Sequence, residues 1–100
     1  MKRATVEVRN PHGLHARPAA LFVRAAGAYK LTTITVRNVT LDRPPVDAKS
    51  IISVLAAGVS KGHLIELSAE GVAEDGAIDG LVEFIELGAG EALEPQASDG

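Results

Sequence analysis

The sequence predicts an α+β domain in which one β-sheet is covered on one face by helices, an open sandwich. Three observations support this prediction. Segments of alternating apolar and polar residues recur, segments of helical periodicity separate them, and 100 residues leave room for a single domain. The predicted order is strand, helix, strand, strand, helix, strand, helix, which provides too few elements for a doubly wound sheet.

The first half of the chain predicts a strand, a turn, a helix and a second strand. Residues 4–8 alternate as a half-buried strand does, and residues 10–13, Asn-Pro-His-Gly, favour a turn. Residues 16–28 are good helix formers, and Pro18 fits the first turn because that turn has no intrahelical N–H bond to lose. Residues 31–37 alternate again. The predicted buried face of the helix contains Pro18, Phe22, Ala25 and Tyr29.

The second half begins with an irregular segment. Residues 38–48 predict a short edge strand broken by a loop, since Asp42-Arg43-Pro44-Pro45 would interrupt a ladder. Ser50 is a favoured N-cap residue for a short helix that ends at Gly58.

The remaining segments predict one more strand and one more helix. Residues 64–69 alternate as a strand does, and residues 75–87 have the periodicity of an amphipathic helix with acids in its first turn. The domain is therefore expected to span residues 1–88. Residues 89–100 are expected to form a flexible polar tail or linker.

Composition excludes several classes of protein. With no cysteine, the chain has neither disulfides nor cysteine-ligated metal sites, which suits a reducing compartment. Its apolar stretches are far shorter than the ~20 residues that a membrane span requires. No apolar segment follows Lys2 and Arg3 as it would in a signal peptide. We therefore expect a cytoplasmic protein that does not insert into membranes.

The charges are unevenly distributed along the chain. Residues 1–50 carry nine Lys/Arg and three acids, whereas residues 51–100 carry one Lys and ten acids. This asymmetry is compatible with a nucleic acid partner, an acidic protein partner or a solvated surface. An aromatic content of 3% and an isoelectric point near 5.5 argue against nucleic acid.

His15 is the residue with the clearest chemical potential. It lies between the turn and the first helix, where unpaired backbone N–H groups attract anions. An imidazole, whose unperturbed pKa is about 6.5, can accept and release a phosphoryl group at neutral pH. Arg17 is two residues away and can contact the same phosphate oxygens. On spacing alone, a turn or helix-cap residue without chemistry is the favoured explanation of His15.

Three ordered segments resemble the HPr family, the histidine-containing phosphocarriers of the phosphoenolpyruvate-dependent sugar phosphotransferase system. Gly13-Leu14-His15-Ala16-Arg17-Pro18-Ala19 resembles the active-site signature. Residues 48–52 with 58–62 resemble the second-helix segment, and Glu70-Gly71 lies where the family enters its last helix. The resemblance implies an open-faced β-sandwich with a four-stranded antiparallel sheet and three helices on one face.

The resemblance also implies roles for individual residues. His15 would receive a phosphoryl group on Nδ1 from phosphorylated enzyme I and pass it to a sugar-specific IIA protein. Arg17 would be the companion arginine, and Ala16 and Arg17 would hold the phosphate. The protein would be a monomeric carrier with a transient phosphohistidine rather than a turnover enzyme of its own, and it would need no cofactor and no metal.

Ser50 matches a position that a dedicated kinase phosphorylates in some members of the family, and a phosphorylase would reverse that change. An N-cap serine also has a purely structural use.

The predicted partner surface combines charged and apolar residues. Arg17, Ala20 and Arg24 form one stripe of the first helix, opposite Phe22. The short helix after Ser50 is too apolar to bury every residue, unless it is wholly enclosed. The predicted docking residues are Ala20, Arg24, Lys49, Ile51, Ile52 and Leu55.

Two further functions are compatible with the sequence. The chain also fits a phosphotransfer domain of a larger protein, such as a multiphosphoryl transfer protein or the phosphotransfer subunit of a dihydroxyacetone kinase. A regulatory module that keeps the fold without carrying phosphate is a third possibility, although the presence of His15 and Arg17 argues against it. His12 and His15 make a weak metal pair because no third ligand is near in sequence. His63 is expected at the surface.

Overall fold

The computed structural model describes residues 1–91, and the predicted element order is confirmed. The strands and helices in chain order are β1 (Lys2–Glu7), α1 (Ala16–Gly27), β2 (Thr32–Asn38), β3 (Val46–Asp47), α2 (Ile51–Ala56), β4 (Leu64–Gly71) and α3 (Glu74–Glu86).

The four strands form one antiparallel sheet in the order β1-β4-β2-β3. The inner strand β4 pairs with β1 from Lys2 opposite Ala69 to Glu7 opposite Leu64. Because side chains alternate across a strand, this register places the apolar residues of neighbouring strands on the same face. The predicted α+β open sandwich is thereby confirmed.

The inner face of the sheet and the helices share one hydrophobic core. Phe22 of α1 is fully buried, and its ring lies 6.3 Å from that of Phe84 in α3, tilted by 47°. Aromatic pairs favour this tilted arrangement over a face-to-face stack. The core also contains Val6, Ile34, Val36, Ile65, Leu67, Ile78, Leu81 and Ile85.

Asn38, a residue that the sequence did not single out, holds the loop between β2 and β3 against the end of α2. Asn38 is buried, its Nδ2 donates to the carbonyl of Ala57 at 3.0 Å, and its Oδ1 accepts from the amide of Leu41 at 3.0 Å. Arg43 adds a bond from Nη1 to the carbonyl of Ala56 at 2.9 Å. The edge strand β3 has only two residues, as the prolines before it predict.

The packed chain extends beyond residue 88, the domain boundary expected from the sequence. Ala89 is fully buried, and its amide donates to the carbonyl of Phe84 at 2.9 Å, while Gly88 donates to Ile85 at 3.1 Å. These bonds form a Schellman motif, in which Gly88 adopts a φ of +106°. The motif reverses the chain after α3 and returns it to the core. The rest of the predicted tail, residues 92–100, lies outside the described residues.

Candidate functional site

A tight turn places His15 at the start of α1. The amide of Gly13 donates to the carbonyl of Asn10 at 3.1 Å, and Nδ2 of Asn10 donates back to the carbonyl of Gly13 at 2.9 Å. Leu14 is fully buried and its amide donates to Val59 at 3.0 Å. The two residues before His15 are therefore fixed to the body of the protein.

The side chain of His15 is partly exposed and available for reaction. His15 is the N-cap residue of α1 with extended backbone (φ −126°, ψ 167°), and its side chain makes no capping bond. Within residues 1–91, neither ring nitrogen has a hydrogen-bond partner. A lone pair of the neutral ring is thus free for an incoming electrophile.

Backbone N–H groups at the start of α1 complete the site. The amides of Ala16 and Arg17 donate to no other residue in the part of the chain that the structure describes. Ala16 adopts a left-handed φ of +50°, which costs an L-residue about 1–2 kcal/mol. Unpaired amides at a helix start are suited to bind phosphate oxygens.

The basic stripe of α1 is exposed beside His15. Arg17, Ala20 and Arg24 are all exposed, whereas Pro18 and Phe22 are buried on the opposite side of the helix. The helix periodicity therefore separates a core face from a charged face, as the sequence predicted.

Helix α2 packs against α1 and presents an apolar surface. Ile52 is 77% exposed, Ile51 39% and Leu55 40%, while Val54 is fully buried. The alternative of a wholly enclosed helix is therefore wrong. The three exposed residues, called here the α2 patch, form an apolar area on the helix that adjoins α1.

Lys49 has a role within the chain that the sequence did not reveal. Its Nζ donates to the carbonyls of Tyr29 and Thr32, each at 2.6 Å. The side chain joins the loop after α1 to β2, so its ammonium is already engaged. Lys49 is therefore not available for the predicted docking surface.

Ser50 caps α2. Its side chain accepts a hydrogen bond from the amide of Ser53 at 3.3 Å. Ser50→Ala should lower the free energy of unfolding by about 0.5–2 kcal/mol, because a helix amide loses its partner. Ser50→Asn keeps an acceptor and should retain most of the stability. Denaturant unfolding of both variants checks this, and equal losses would contradict the capping role.

The other two histidines make contacts within the chain. His63 is partly buried, and Nδ1 accepts from the amide of Ser60 at 3.1 Å and lies 3.2 Å from Nδ2 of Asn38. His63 is therefore partly exposed, near the surface where the sequence predicted it, but it is held by contacts that the sequence did not reveal. His12 contacts the carboxylate of Glu91 through Nδ1. No group of three or more potential ligands in residues 1–91 is arranged to bind a metal ion, and no helix there is long and apolar enough to cross a membrane.

Comparisons with known proteins identify the family and the fold of this chain. The family model described as PTS HPr component phosphorylation site matches residues 2–86. The phosphocarrier protein HPr of Pseudomonas aeruginosa is 40% identical over 85 residues, which are 85% of this chain and 91% of that protein. The crystal structure of HPr-C-His from Thermoanaerobacter tengcongensis has a TM-score of 0.86 and 47% identity, and the match covers 93% of this chain and 100% of that one.

A longer relative matches equally well. The multiphosphoryl transfer protein of Vibrio cholerae is 40% identical over 88 residues, which are 88% of this chain but only 22% of that protein. Because the family model covers most of the chain, and because a relative of similar length is 40% identical, this chain belongs to the HPr family, the phosphocarrier component of the phosphotransferase system.

Proposed function

We propose that this chain carries a phosphoryl group on His15, accepting it from phosphorylated enzyme I and passing it to a sugar-specific IIA protein. One observation carries the proposal: the ring of His15 is partly exposed and without a hydrogen-bond partner among residues 1–91, directly before the unpaired amides of Ala16 and Arg17. The family resemblance supplies the donor and the acceptor proteins.

The reaction needs a neutral imidazole. The lone pair of the unprotonated Nδ1 attacks phosphorus, a P–N bond forms, and the bond to the donor breaks with its electron pair leaving on the donor. In the second transfer a nucleophile of the IIA protein attacks phosphorus, and the electron pair of the broken P–N bond returns to the ring. The protein is unchanged after both steps and is therefore a carrier.

The start of α1 supplies positive charge for the transferred group. The unpaired amides of Ala16 and Arg17 would donate to phosphate oxygens, and the helix dipole would add about 0.3–1 kcal/mol. The exposed guanidinium of Arg17 can donate two parallel hydrogen bonds to the same group. These interactions are weak enough for the phosphoryl group to be passed on in the second transfer.

The docking surface for both partners consists of the basic stripe and the α2 patch. Arg24 lies two turns after Arg17 on the exposed side of α1, where the two charges would attract an acidic partner. When the partner binds, the exposed apolar side chains of the α2 patch would be buried against it. We place the carrier in the cytoplasm as a monomer, together with phosphorylated enzyme I.

The charge on the stripe should accelerate association. Arg24→Ala should slow phosphoryl acceptance roughly 10-fold at 0.01 M salt and much less at 0.15 M salt. The reason is that the electrostatic screening length falls from ~30 Å at 0.01 M to ~8 Å at 0.15 M. Arg17→Ala should lower the rate of acceptance in two ways. One part of the loss should depend on salt as in Arg24→Ala, and a second part, from the lost contact with the phosphoryl group, should be the same at both salt concentrations. Quenched-flow reactions with phosphorylated enzyme I at both salt concentrations measure the rates of phosphoryl acceptance.

Arg3→Ala is the matched control for these two variants. It removes an equal charge from β1, on the exposed side of the sheet, and should leave the rate unchanged. A loss in Arg24→Ala that is independent of salt would reject electrostatic steering.

The function itself is tested on the unaltered protein. Incubation with phosphoenolpyruvate and active enzyme I should add one acid-labile phosphoryl group, visible in the intact mass. Peptide mapping at alkaline pH should locate it on His15 rather than on His12 or His63. The absence of any phosphoryl group with enzyme I of the same organism would reject the proposal.

A second candidate is the same chemistry within a larger protein. It is favoured by the match to the multiphosphoryl transfer protein, since this chain covers 88% of its own length but 22% of that relative. An immunoblot of cells of the source organism distinguishes the two candidates. A band at a mass much larger than that of a 100-residue chain would favour a multidomain protein.

A further inference from the structure

The carboxylate of Glu91 is bound to the turn that precedes His15. Building on the proposed carrier function, we propose that Glu91 is a positioning residue: it holds residues 10–13 so that the His15 ring is presented for phosphoryl acceptance. The family model ends at residue 86, so Glu91 lies outside the matched segment.

The carboxylate of Glu91 accepts hydrogen bonds from several groups of the turn. Its Oε1 accepts from Nδ2 of Asn10 at 2.9 Å and from the amide of His12 at 3.0 Å, and its Oε2 contacts Nδ1 of His12. Asn10 and His12 are 81 and 79 residues away in sequence. We call this set of contacts the Glu91 clamp.

Residues 88–91 are packed and hydrogen-bonded, so this segment can act as a support. Ala89 is fully buried, and the amide of Glu91 donates to the carbonyl of Gly88 at 2.8 Å. Gly90, with a φ of +86°, lies so close to α1 that a Cβ there would come within 2.4 Å of Cδ1 of Leu21. The segment that carries Glu91 is thus packed against the helix that His15 begins.

The clamp is connected to His15 through a short covalent and hydrogen-bonded path. Asn10 is fully buried, and its Nδ2 donates both to Glu91 and to the carbonyl of Gly13. Oδ1 of Asn10 has no partner among residues 1–91, so these two bonds set the orientation of the amide. Only Leu14 separates Gly13 from His15. Without the carboxylate, Asn10 would lose one of the two hydrogen bonds that orient its amide.

The charge of Glu91 strengthens the clamp. The hydrogen bond from Asn10, then those from the backbone and side chain of His12, lower the pKa of Glu91 from 4.5 to about 2. The carboxylate is therefore ionised at neutral pH, and hydrogen bonds to an ionised acceptor are stronger than those between neutral groups.

The test compares Glu91→Ala, Glu91→Gln and Glu86→Ala. Glu91→Ala removes every contact of the carboxylate with the turn, whereas the amide oxygen of Glu91→Gln still accepts from Asn10 or from the amide of His12. Glu86 is exposed, and its side chain has no hydrogen bond or ion pair with residues 1–91. Glu86→Ala therefore removes the same charge five residues before Glu91 without touching the turn.

Phosphoryl acceptance is measured with phosphorylated enzyme I over a range of carrier concentrations. We expect Glu91→Ala to lower kcat about 10-fold with little change in KM, because misplacing a reacting group slows the chemical step more than docking. Glu91→Gln should recover most of that loss, and Glu86→Ala should match the unaltered protein. Amide NMR signals of residues 12–17 should shift in Glu91→Ala but not in Glu86→Ala.

The outcomes separate the positioning role from an effect on folding or on net charge. Circular dichroism and an unfolding curve establish that each variant is folded at the assay temperature. A folded Glu91→Ala with unchanged kcat would overturn the positioning role, even if its unfolding free energy is lower. An equal loss in Glu86→Ala would also overturn it, because net charge would then be the cause. An inactive unaltered protein would instead reject the carrier function itself.

Discussion

The variant His15→Ala is expected to accept no phosphoryl group from phosphorylated enzyme I. The substitution removes the only nucleophilic nitrogen next to the unpaired amides of Ala16 and Arg17 in residues 1–91. Intact-mass analysis at long reaction times should detect no added group. The fold should persist, because the ring is partly exposed and makes no hydrogen bond with the described residues.

His12→Ala provides the matched control for the loss of an imidazole. His12 lies in the same turn, but its ring contacts Glu91 rather than facing the start of α1. This variant should react more slowly, because the Glu91 clamp is weakened, yet reach one phosphoryl group per chain. Full phosphorylation of His15→Ala together with none in His12→Ala would show that the acceptor has been assigned to the wrong histidine.

Gly13→Ala should lower the free energy of unfolding by about 2–5 kcal/mol, by steric overlap and backbone strain together. A Cβ at Gly13 would lie 2.3 Å from the carbonyl oxygen of Val59 and 2.8 Å from Cα of Ser60, both backbone atoms. The φ of +58° is unfavourable for alanine as well. Relief of the overlap must move the turn, so phosphoryl acceptance should fall with the stability.

Gly27→Ala is the appropriate comparison for Gly13→Ala. Gly27 ends α1, and a Cβ there would meet no atom within 4 Å. Its replacement should be neutral or stabilise the protein by up to about 1 kcal/mol, since alanine loses less conformational entropy in a helix. Denaturant unfolding of both variants checks the contrast. Similar free energies of unfolding would show that residues 10–13 adapt to a side chain at Gly13.

Much of the fold is predictable because each element has a local cause. Alternation predicted β1, β2 and β4, and helical spacing predicted the buried face of α1 around Phe22. Ser50 predicted the start of α2 because a serine hydroxyl can accept from an amide three residues later. These patterns involve residues within one or two turns of each other, so they can be read in the chain itself.

Part of the site was also predictable. The order of residues from Gly13 to Ala19 led to His15, and the helix period assigned Arg17 and Arg24 to the exposed face. The sequence showed that α2 has more apolar residues than one face can bury, but the structure was needed to show that Ile52 is the most exposed of them. The roles of His15, Arg17 and Arg24 remain predictions, which the variants His15→Ala, Arg17→Ala and Arg24→Ala test.

By itself the sequence determined the element order, the chemistry available at His15 and the uneven distribution of charge. Only the tertiary structure decided that Lys49 binds backbone carbonyls, that His63 contacts Asn38, and that Glu91 lies against the turn before His15. The physical reason is the range of the interactions. Periodicity and capping depend on neighbouring residues, whereas these contacts exist only after the sheet and helices have packed and brought distant segments together.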